Sequence, residues 1–256
     1  MPKRKQLLNK PLVEAILELQ WLVSPEQGDP HYALFLGRLS DRIKTLYPFH
    51  EPLPTAMIPQ PVIKNIVQHR FRTRGNGWPL IQVGPGVVTL NDTDGYIWED
   101  FGRRAKELIK NIYRTYPKPD ELKITSLLLR YIDAIEFDSA TNDTFDFLKD
   151  KLKTQIMLPP ELFKKASVSK MPTGFNFQTI FSISVPKGSI AVKFATGTHH
   201  DKPALIWEIA VRSQENDLPI MPGGFGKWIE SAHRFTDDWF FNLIEGELER
   251  RFAGEQ

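Results

Sequence analysis

The stretch from Pro79 to Tyr116 constrains the fold most, because strand, turn and helix signals follow one another within it. Two short apolar runs, at 80–83 and 87–90, flank a Gly-Pro-Gly tripeptide at 84–86. Glycine tolerates positive φ and proline fixes φ, so the tripeptide predicts a bend or bulge between two strands. The polar residues 91–95 then predict a turn that leads into a helix.

That helix is amphipathic, with Asp94 as its predicted N-cap and Pro117 marking its end. A glycine-rich turn before a helix can also hold phosphate. This turn does not open the helix directly, and the chain has neither a GxGxxG nor a GxxxxGK pattern, so a structural turn is favoured. Apolar side chains spaced by three and four share one helix face: Trp98, Phe101, Ala105, Leu108, Ile109, Ile112, Tyr113 and Tyr116.

Composition excludes several classes of protein. The chain has 256 residues, enough for one large domain or two packed halves, and its 41% hydrophobic content is typical of a folded core. A net charge of +2, from 33 basic and 31 acidic residues, argues against a general nucleic-acid footprint but leaves a local basic patch open. The absence of cysteine excludes disulfides, thiolate catalysis and cysteine-ligated metals.

The basic N-terminal sequence MPKRKQLLNK is not followed by the apolar core of a secretory signal. No run approaches the ~20 apolar residues that a membrane-spanning helix needs. The sequence therefore predicts a cytoplasmic protein.

The rest of the chain alternates between strand and helix patterns. Residues 48–64 contain five prolines, which predict an extended crossover; a strap over the core is favoured over a functional loop. An Asn-Gly pair at 76–77 predicts a hairpin, and Asn142 or Asp143 is the predicted cap of the helix that follows. The predicted strands are 11–23, 66–73, 124–137, 175–185, 190–196 and 204–213, and the other predicted helices are 31–47, 144–156 and 225–252, the last with a bend or new start at Thr236-Asp237.

This order repeats one plan, strand, helix, strands and helix, in residues 1–123 and again in residues 124–256. Each half offers one apolar sheet face and two amphipathic helices to cover it. Two such halves can join edge to edge, which removes exposed strand edges. We therefore predict an α+β fold in which two quasi-repeated, intimately packed halves share one curved antiparallel sheet with helices on one face.

Several segments carry a resemblance to a known family: PLVEAILEL, HEPLP, VQHRFR, GWPLIQVGPGVVTLNDTDGYIWEDF, LRYIDAIEFD, IWEIAV and AHRFTDDWFFNLIEGEL. Through them the chain resembles a sporadically distributed family of uncharacterised prokaryotic proteins of about 250 residues. The resemblance covers nearly the whole chain. It implies one structural unit and a bacterial or archaeal origin, but no established reaction, cofactor or catalytic residue.

Polar side chains collect on the predicted open face of the sheet, the face that the helices leave uncovered. One interpretation is a solvated face held together by cross-strand ion pairs. The other is a groove for a polar ligand, a peptide or a nucleic-acid backbone, in which planar guanidinium groups contact anions. The candidate ligand-binding residues are Arg70, Arg72, Arg130, Glu208 and Arg212.

Two further constellations could carry chemistry. Asp133 lies among apolar residues, and a buried carboxylate must be paired or protonated, so His69 and Asp133 are the candidate catalytic residues. His233 and Asp237, four apart on a helix, are the candidate metal ligands, although a packed helix histidine is the favoured interpretation of His233.

Two minor candidates remain. His199-His200 at a hairpin tip could bind a metal, but an exposed polar turn is the favoured interpretation. Trp78, next to a turn, is the best candidate for stacking on a ligand.

The sequence contains no GxSxG or HExxH motif, so whether the protein is an enzyme stays open, and no cofactor is predicted. The leading prediction is a non-catalytic binding or interaction protein that uses the open face, with a protein partner or a homodimer as possibilities. The first alternative is a nucleic-acid-binding or nucleic-acid-processing protein, and the second is a metal-dependent enzyme. The ligand and the oligomeric state stay open.

Overall fold

The fold, determined as a computed structural model, is described for residues 7–24, 26–58, 65–93, 95–164 and 168–255. Its nine strands form one antiparallel sheet with the order β2-β3-β4-β5-β1-β6-β9-β8-β7. The strands are β1 (Leu12–Trp21), β2 (Phe49–Pro52), β3 (His69–Arg72), β4 (Leu80–Gly84), β5 (Val87–Asp92), β6 (Ile124–Glu136), β7 (Asn176–Ser184), β8 (Lys187–His199) and β9 (Lys202–Gln214).

The helices cover one face of this sheet, as predicted. A single apolar cluster joins their buried side chains to alternate strand residues such as Leu17, Leu129 and Val211, which are register partners across β1, β6 and β9. Apolar residues that point to the other face, such as Leu80 and Leu128, are not part of this cluster. The helices are α1 (Tyr32–Ile43), α2 (Trp98–Thr115), α3 (Thr144–Lys151), α4 (Phe225–Ile244) and α5 (Glu247–Ala253).

The predicted two-half plan is confirmed in the sheet order. In the first half, β5 lies beside β1, and in the second half β9 lies beside β6. The two halves meet where β1 pairs with β6 along a register that runs from Leu12–Asp133 to Trp21–Ile124. Two half-sheets therefore join through their first strands into one continuous sheet.

The Gly-Pro-Gly tripeptide forms a tighter turn than predicted. Gly84 pairs with Val87, so Pro85 and Gly86 are the whole loop of the β4–β5 hairpin rather than a bend or bulge within a strand. Gly86 has φ +78°, and a Cβ there would lie 2.3 Å from Oδ1 of Asn65. Glycine is therefore required by both the backbone conformation and the space.

Some helix ends lie where local sequence signals predict them, and others do not. Asp143 caps α3, with Oδ1 accepting hydrogen bonds from the amides of Phe145 at 2.8 Å and Asp146 at 3.2 Å. Asp94 lies outside the described residues, and the N-cap residue of α2 is Ile97. The long last helix breaks at Gly246, with φ +102°, so the predicted bend at 236–237 is wrong.

The proline-rich segment contains regular structure that the sequence did not predict. Its residues Phe49–Pro52 form the edge strand β2, paired with β3. The following turn is held in place by Gln68, whose Nε2 donates to the carbonyl oxygens of Thr55 and Ile58. Among the described residues, none of the helices is both long and apolar enough to cross a membrane.

Candidate functional site

A pocket of about 470 Å³ opens between the N-terminal segment, β6, the start of α2 and the middle of α4. Its walls are mostly aromatic and aliphatic, with a few polar groups that point to the same space. We call it the Asp133 pocket, and its lining residues are Leu7, Lys10, Pro11, Leu12, Tyr96, Ile97, Trp98, Glu99, Tyr131, Asp133, His233, Thr236, Asp237, Phe240 and Phe241.

The geometry of the pocket follows from strand and helix periodicity. Tyr131 and Asp133 are two apart on β6, so both side chains point to the helix-covered face. His233 and Asp237 are four apart on α4 and share one helix face. The N-terminal segment completes the wall, since the Ala134 amide donates to the carbonyl of Pro11 and Lys10 Nζ donates to the carbonyl of Tyr96 at 2.5 Å.

Asp133 is the most unusual residue of the pocket. It is 2% exposed, and its Oδ2 atom has no hydrogen-bond partner among the described residues. Burial raises the pKa of its carboxyl group to about 8. Trp207, its register partner on β9, likewise has a buried indole N–H without a described partner.

A chain of hydrogen bonds in the same pocket connects the loop before α2 with β6 and α4. The hydroxyl groups of Tyr96 and Tyr131 are 2.7 Å apart, and the Tyr131 hydroxyl lies 3.1 Å from Nδ1 of His233. The imidazole of His233 stacks on the indole of Trp98, with ring centroids 3.7 Å apart. Burial, with a further contribution from the charge of Asp237, raises the pKa of both tyrosines, so both hydroxyl groups are neutral near pH 7.

The structure therefore brings together three of the predicted site residues, Asp133, His233 and Asp237, in one pocket. It does not bring His69 to Asp133. His69 lies on β3, four strands from β6 in the sheet, and its Nδ1 is 3.1 Å from Nε2 of His50. The predicted pair of His69 and Asp133 is not formed, because the sheet order separates two residues that both point to the same face.

His233 and Asp237, the predicted metal ligands, both line the Asp133 pocket. His233 presents Nδ1 to the Tyr131 hydroxyl. In the part of the chain that the structure describes, no three His, Asp or Glu side chains converge as a metal-binding group would require. His199 and His200 lie at the β8–β9 hairpin tip, as predicted, with ring centroids 4.0 Å apart.

The five open-face candidates lie on the sheet face opposite the helices, and most of them are in ion pairs. Arg70 and Arg72 both contact Glu51, at 3.4 and 3.3 Å, and Arg130 contacts Glu208 at 3.6 Å. Glu208 also receives Lys193 at 3.5 Å. Arg212, on β9, is half-buried on the same face.

The polar side chains of this face also bond to one another more extensively than the sequence implied. Gln82 links Arg70 to Thr89 and Asn91, and Asn91 donates to Glu14 at 2.7 Å, so polar side chains bond to one another across four strands. Thr89 and Asn91 are buried. These contacts match the structural interpretation of the face, in which cross-strand pairs hold the strands together.

Sequence reasoning missed several residues of the site. Tyr96, Tyr131 and Lys10 are not among the predicted site residues, and Trp98 is predicted only as part of the apolar face of the helix. One signal was available for Tyr131, which is two residues before Asp133 and must share its face. Glu51 was missed because the proline-rich segment gave no strand pattern. Its carboxylate forms ion pairs with two of the candidate arginines.

Comparison with known proteins adds little to this description. No protein-family model and no curated protein matches the chain. Two crystal structures are similar to it, the di-domain ARO/CYC StfQ from the steffimycin biosynthetic pathway and the di-domain ARO/CYC BexL from the BE-7585A biosynthetic pathway. Each has 10% identity and a TM-score of 0.23 over 94% of this chain, covering 96% of StfQ and 97% of BexL. At such a TM-score the similarity supports no conclusion about function.

Proposed function

We propose that this chain is a non-catalytic binding protein and that the Asp133 pocket, rather than the open face of the sheet, holds a small-molecule ligand. Membership in the prokaryotic family that the sequence resembles is likewise proposed, and it adds no activity.

The observation that carries the proposal is the buried oxygen of Asp133. Leaving a buried polar group without a hydrogen bond costs about 1–3 kcal/mol of folding free energy. Such a group is more readily explained if a ligand supplies the missing partner. A pocket of this volume, with apolar walls and a few converging polar groups, is typical of small-molecule sites.

The unsatisfied carboxyl group distinguishes this pocket from a hollow of similar size. A second hollow of about 480 Å³ opens near Leu122 and Met221. Its lining includes none of the buried polar atoms that lack a partner among the described residues. The size of a hollow alone therefore does not distinguish the Asp133 pocket, whereas the unsatisfied carboxyl group does.

The contacts around the pocket favour binding over catalysis. The Tyr131 hydroxyl group bonds to the His233 ring, and burial raises the pKa of Tyr96 and Tyr131, so neither forms a tyrosinate near neutral pH that could act as a base or a nucleophile. On the open face, the arginines that would contact phosphate are already paired with Glu51 and Glu208. A nucleic-acid interface there would have to break these pairs.

The experiment is a thermal-shift screen with small aromatic compounds that are neutral, cationic or anionic. We expect at least one compound to raise the melting temperature of the wild-type protein. That increase should be lost in Asp133→Leu, which fills the site with an apolar side chain, and kept in Arg130→Leu on the open face. Stabilisation that is lost only in Arg130→Leu would contradict the proposal, and so would a screen in which no compound stabilises the wild-type protein.

A further inference from the structure

We infer that the ligand of the Asp133 pocket is an organic cation, a protonated amine attached to a compact apolar or aromatic body, and that its ammonium group pairs with Asp133. This inference rests on the proposed function and specifies the chemical class of its ligand.

The position of Asp133 favours a cation as the ligand. Its side chain is almost fully buried, lines the pocket and leaves Oδ2 without a partner among the described residues. An ammonium group supplies both the hydrogen-bond donors and the opposite charge that a buried carboxylate needs. The indole N–H of Trp207, the register partner of Asp133 on β9, is likewise buried without a partner among the described residues.

The aromatic walls of the pocket also favour a cation. Tyr96, Trp98 and Tyr131 line the pocket together with Phe240 and Phe241. Aromatic rings attract cations through their negative faces, and this attraction is stronger in a site that excludes water. The same rings cover an apolar body, so one ligand with a charged end and an apolar end satisfies both kinds of surface.

The charged groups that surround Asp133, taken element by element, favour a cation as well. Glu99 on α2 and Asp237 on α4 are carboxylates, His233 on α4 bonds to Tyr131, and Lys10 on the N-terminal segment bonds to a backbone carbonyl. The residues opposite Asp133 on β1 and β9, Leu12 and Trp207, carry no charge. Of the described lining residues, three are acidic and one is a lysine, so the pocket is better suited to a cation than to an anion.

Binding of a cation to Asp133 is coupled to the release of a proton from its carboxyl group. The buried carboxyl group is mostly protonated below its pKa of about 8, and pairing with an ammonium group requires the carboxylate. A cation that binds at pH 6.5 must therefore displace about one proton, whereas at pH 8.5 the carboxylate is already largely formed. A neutral ligand displaces none.

The test uses isothermal titration calorimetry with two probes of similar shape, phenethylamine and 2-phenylethanol, on the full wild-type chain. At pH 8.5, where an alkylamine is still protonated, we expect the amine to bind at least about 10-fold more tightly than the alcohol. At pH 6 the affinity for the amine should fall roughly 50- to 100-fold. Titrations at pH 6.5 in two buffers with different ionisation enthalpies should show the release of about one proton.

The isosteric variant Asp133→Asn provides the matched control. It should bind the amine and the alcohol with similar affinities and release no proton. Equal binding of both probes by the wild-type protein would overturn the cation inference but would leave a small-molecule pocket in place. Failure of both probes to bind, together with an unsuccessful thermal-shift screen, would overturn both proposals. The comparison of probes on the wild-type protein does not depend on the variant folding.

Discussion

Asp133 couples the stability of the fold to pH. Its carboxyl group has a pKa of about 8 in the folded protein and of about 3.8 in an unfolded chain. Between these two values the folded state binds the additional proton, so the free energy of unfolding decreases as pH rises. The contribution of this carboxyl group to the free energy of unfolding is fully present below about pH 4. It is lost progressively as the pH rises to about pH 8.

This linkage predicts the effect of Asp133→Asn, which cannot ionise. Relative to the wild-type protein, the variant should gain roughly 3–4 kcal/mol in free energy of unfolding between pH 5 and pH 8, at about 1.4 kcal/mol per pH unit. Urea unfolding at several pH values measures this difference. The exposed Asp120→Asn is the control and should follow the wild-type pH profile; a parallel profile for Asp133→Asn would show that the carboxyl group does not titrate in this range.

Tyr131 supports the pocket through its hydroxyl group, which contacts both Tyr96 and His233. In Tyr131→Phe two partly buried polar groups lose a partner, so the free energy of unfolding should fall by about 1–3 kcal/mol. Chemical denaturation of Tyr113→Phe gives the comparison, because Tyr113 is half-buried on α2 and its expected loss is below about 0.5 kcal/mol. Equal losses of unfolding free energy in the two variants would mean that the hydrogen bonds of Tyr131 add nothing to the stability of the fold.

At the scale of elements, Gly246 separates α4 from α5. Its backbone has φ +102° and ψ −112°, a region that residues with a Cβ rarely adopt. Gly246→Ala should therefore lower the free energy of unfolding by about 1–3 kcal/mol.

The matched control is Gly226→Ala, near the start of α4, where an added Cβ meets nothing within 4 Å. Alanine favours helix over glycine, so this variant should gain about 0.5–1 kcal/mol. Thermal or urea unfolding compares the two. If Gly246→Ala were as stable as the wild-type protein, the last helix would have to continue without the break.

Local signals explain which elements the sequence could predict. Asp143 caps α3 through contacts within three residues, and Leu17, Leu19 and Trp21 alternate with less buried residues on β1 because they face the helices. β2 could not be found in the same way, because its strand conformation depends on pairing with β3 about twenty residues later. Gly246 did give a local signal, since glycine inside a helical pattern marks a break.

At the scale of the whole molecule, one apolar cluster spans both halves. Leu17 and Leu19 of the first half pair with Leu129 and Leu127 of the second, and all four are buried in that cluster. If the two halves separated, these four leucines would lose their buried contacts. Unfolding in urea should therefore be a single transition, with coincident curves from circular dichroism and tryptophan fluorescence. Two separated transitions would indicate halves that are independently stable.

The sheet and the pocket differ in how far the sequence could predict them. The paired halves follow from patterns that repeat along the chain, so the antiparallel sheet and its helix-covered face were predictable. The pocket depends on contacts between distant segments, such as Lys10 with Tyr96, 86 residues apart, and Tyr131 with His233, 102 residues apart. Asp133, His233 and Asp237 were each recognised alone, but only the folded chain shows that they line one space.

The most direct test of the account is where a ligand binds. We would titrate ¹⁵N-labelled protein with phenethylamine at pH 8.5 and follow its amide and indole N–H resonances by NMR. The account predicts that the largest shifts occur at Trp98, Tyr131 and Asp133, while Arg70 and Arg212 on the open face stay unchanged. Shifts that concentrate on the open face, or an unchanged spectrum at saturating phenethylamine, would contradict it.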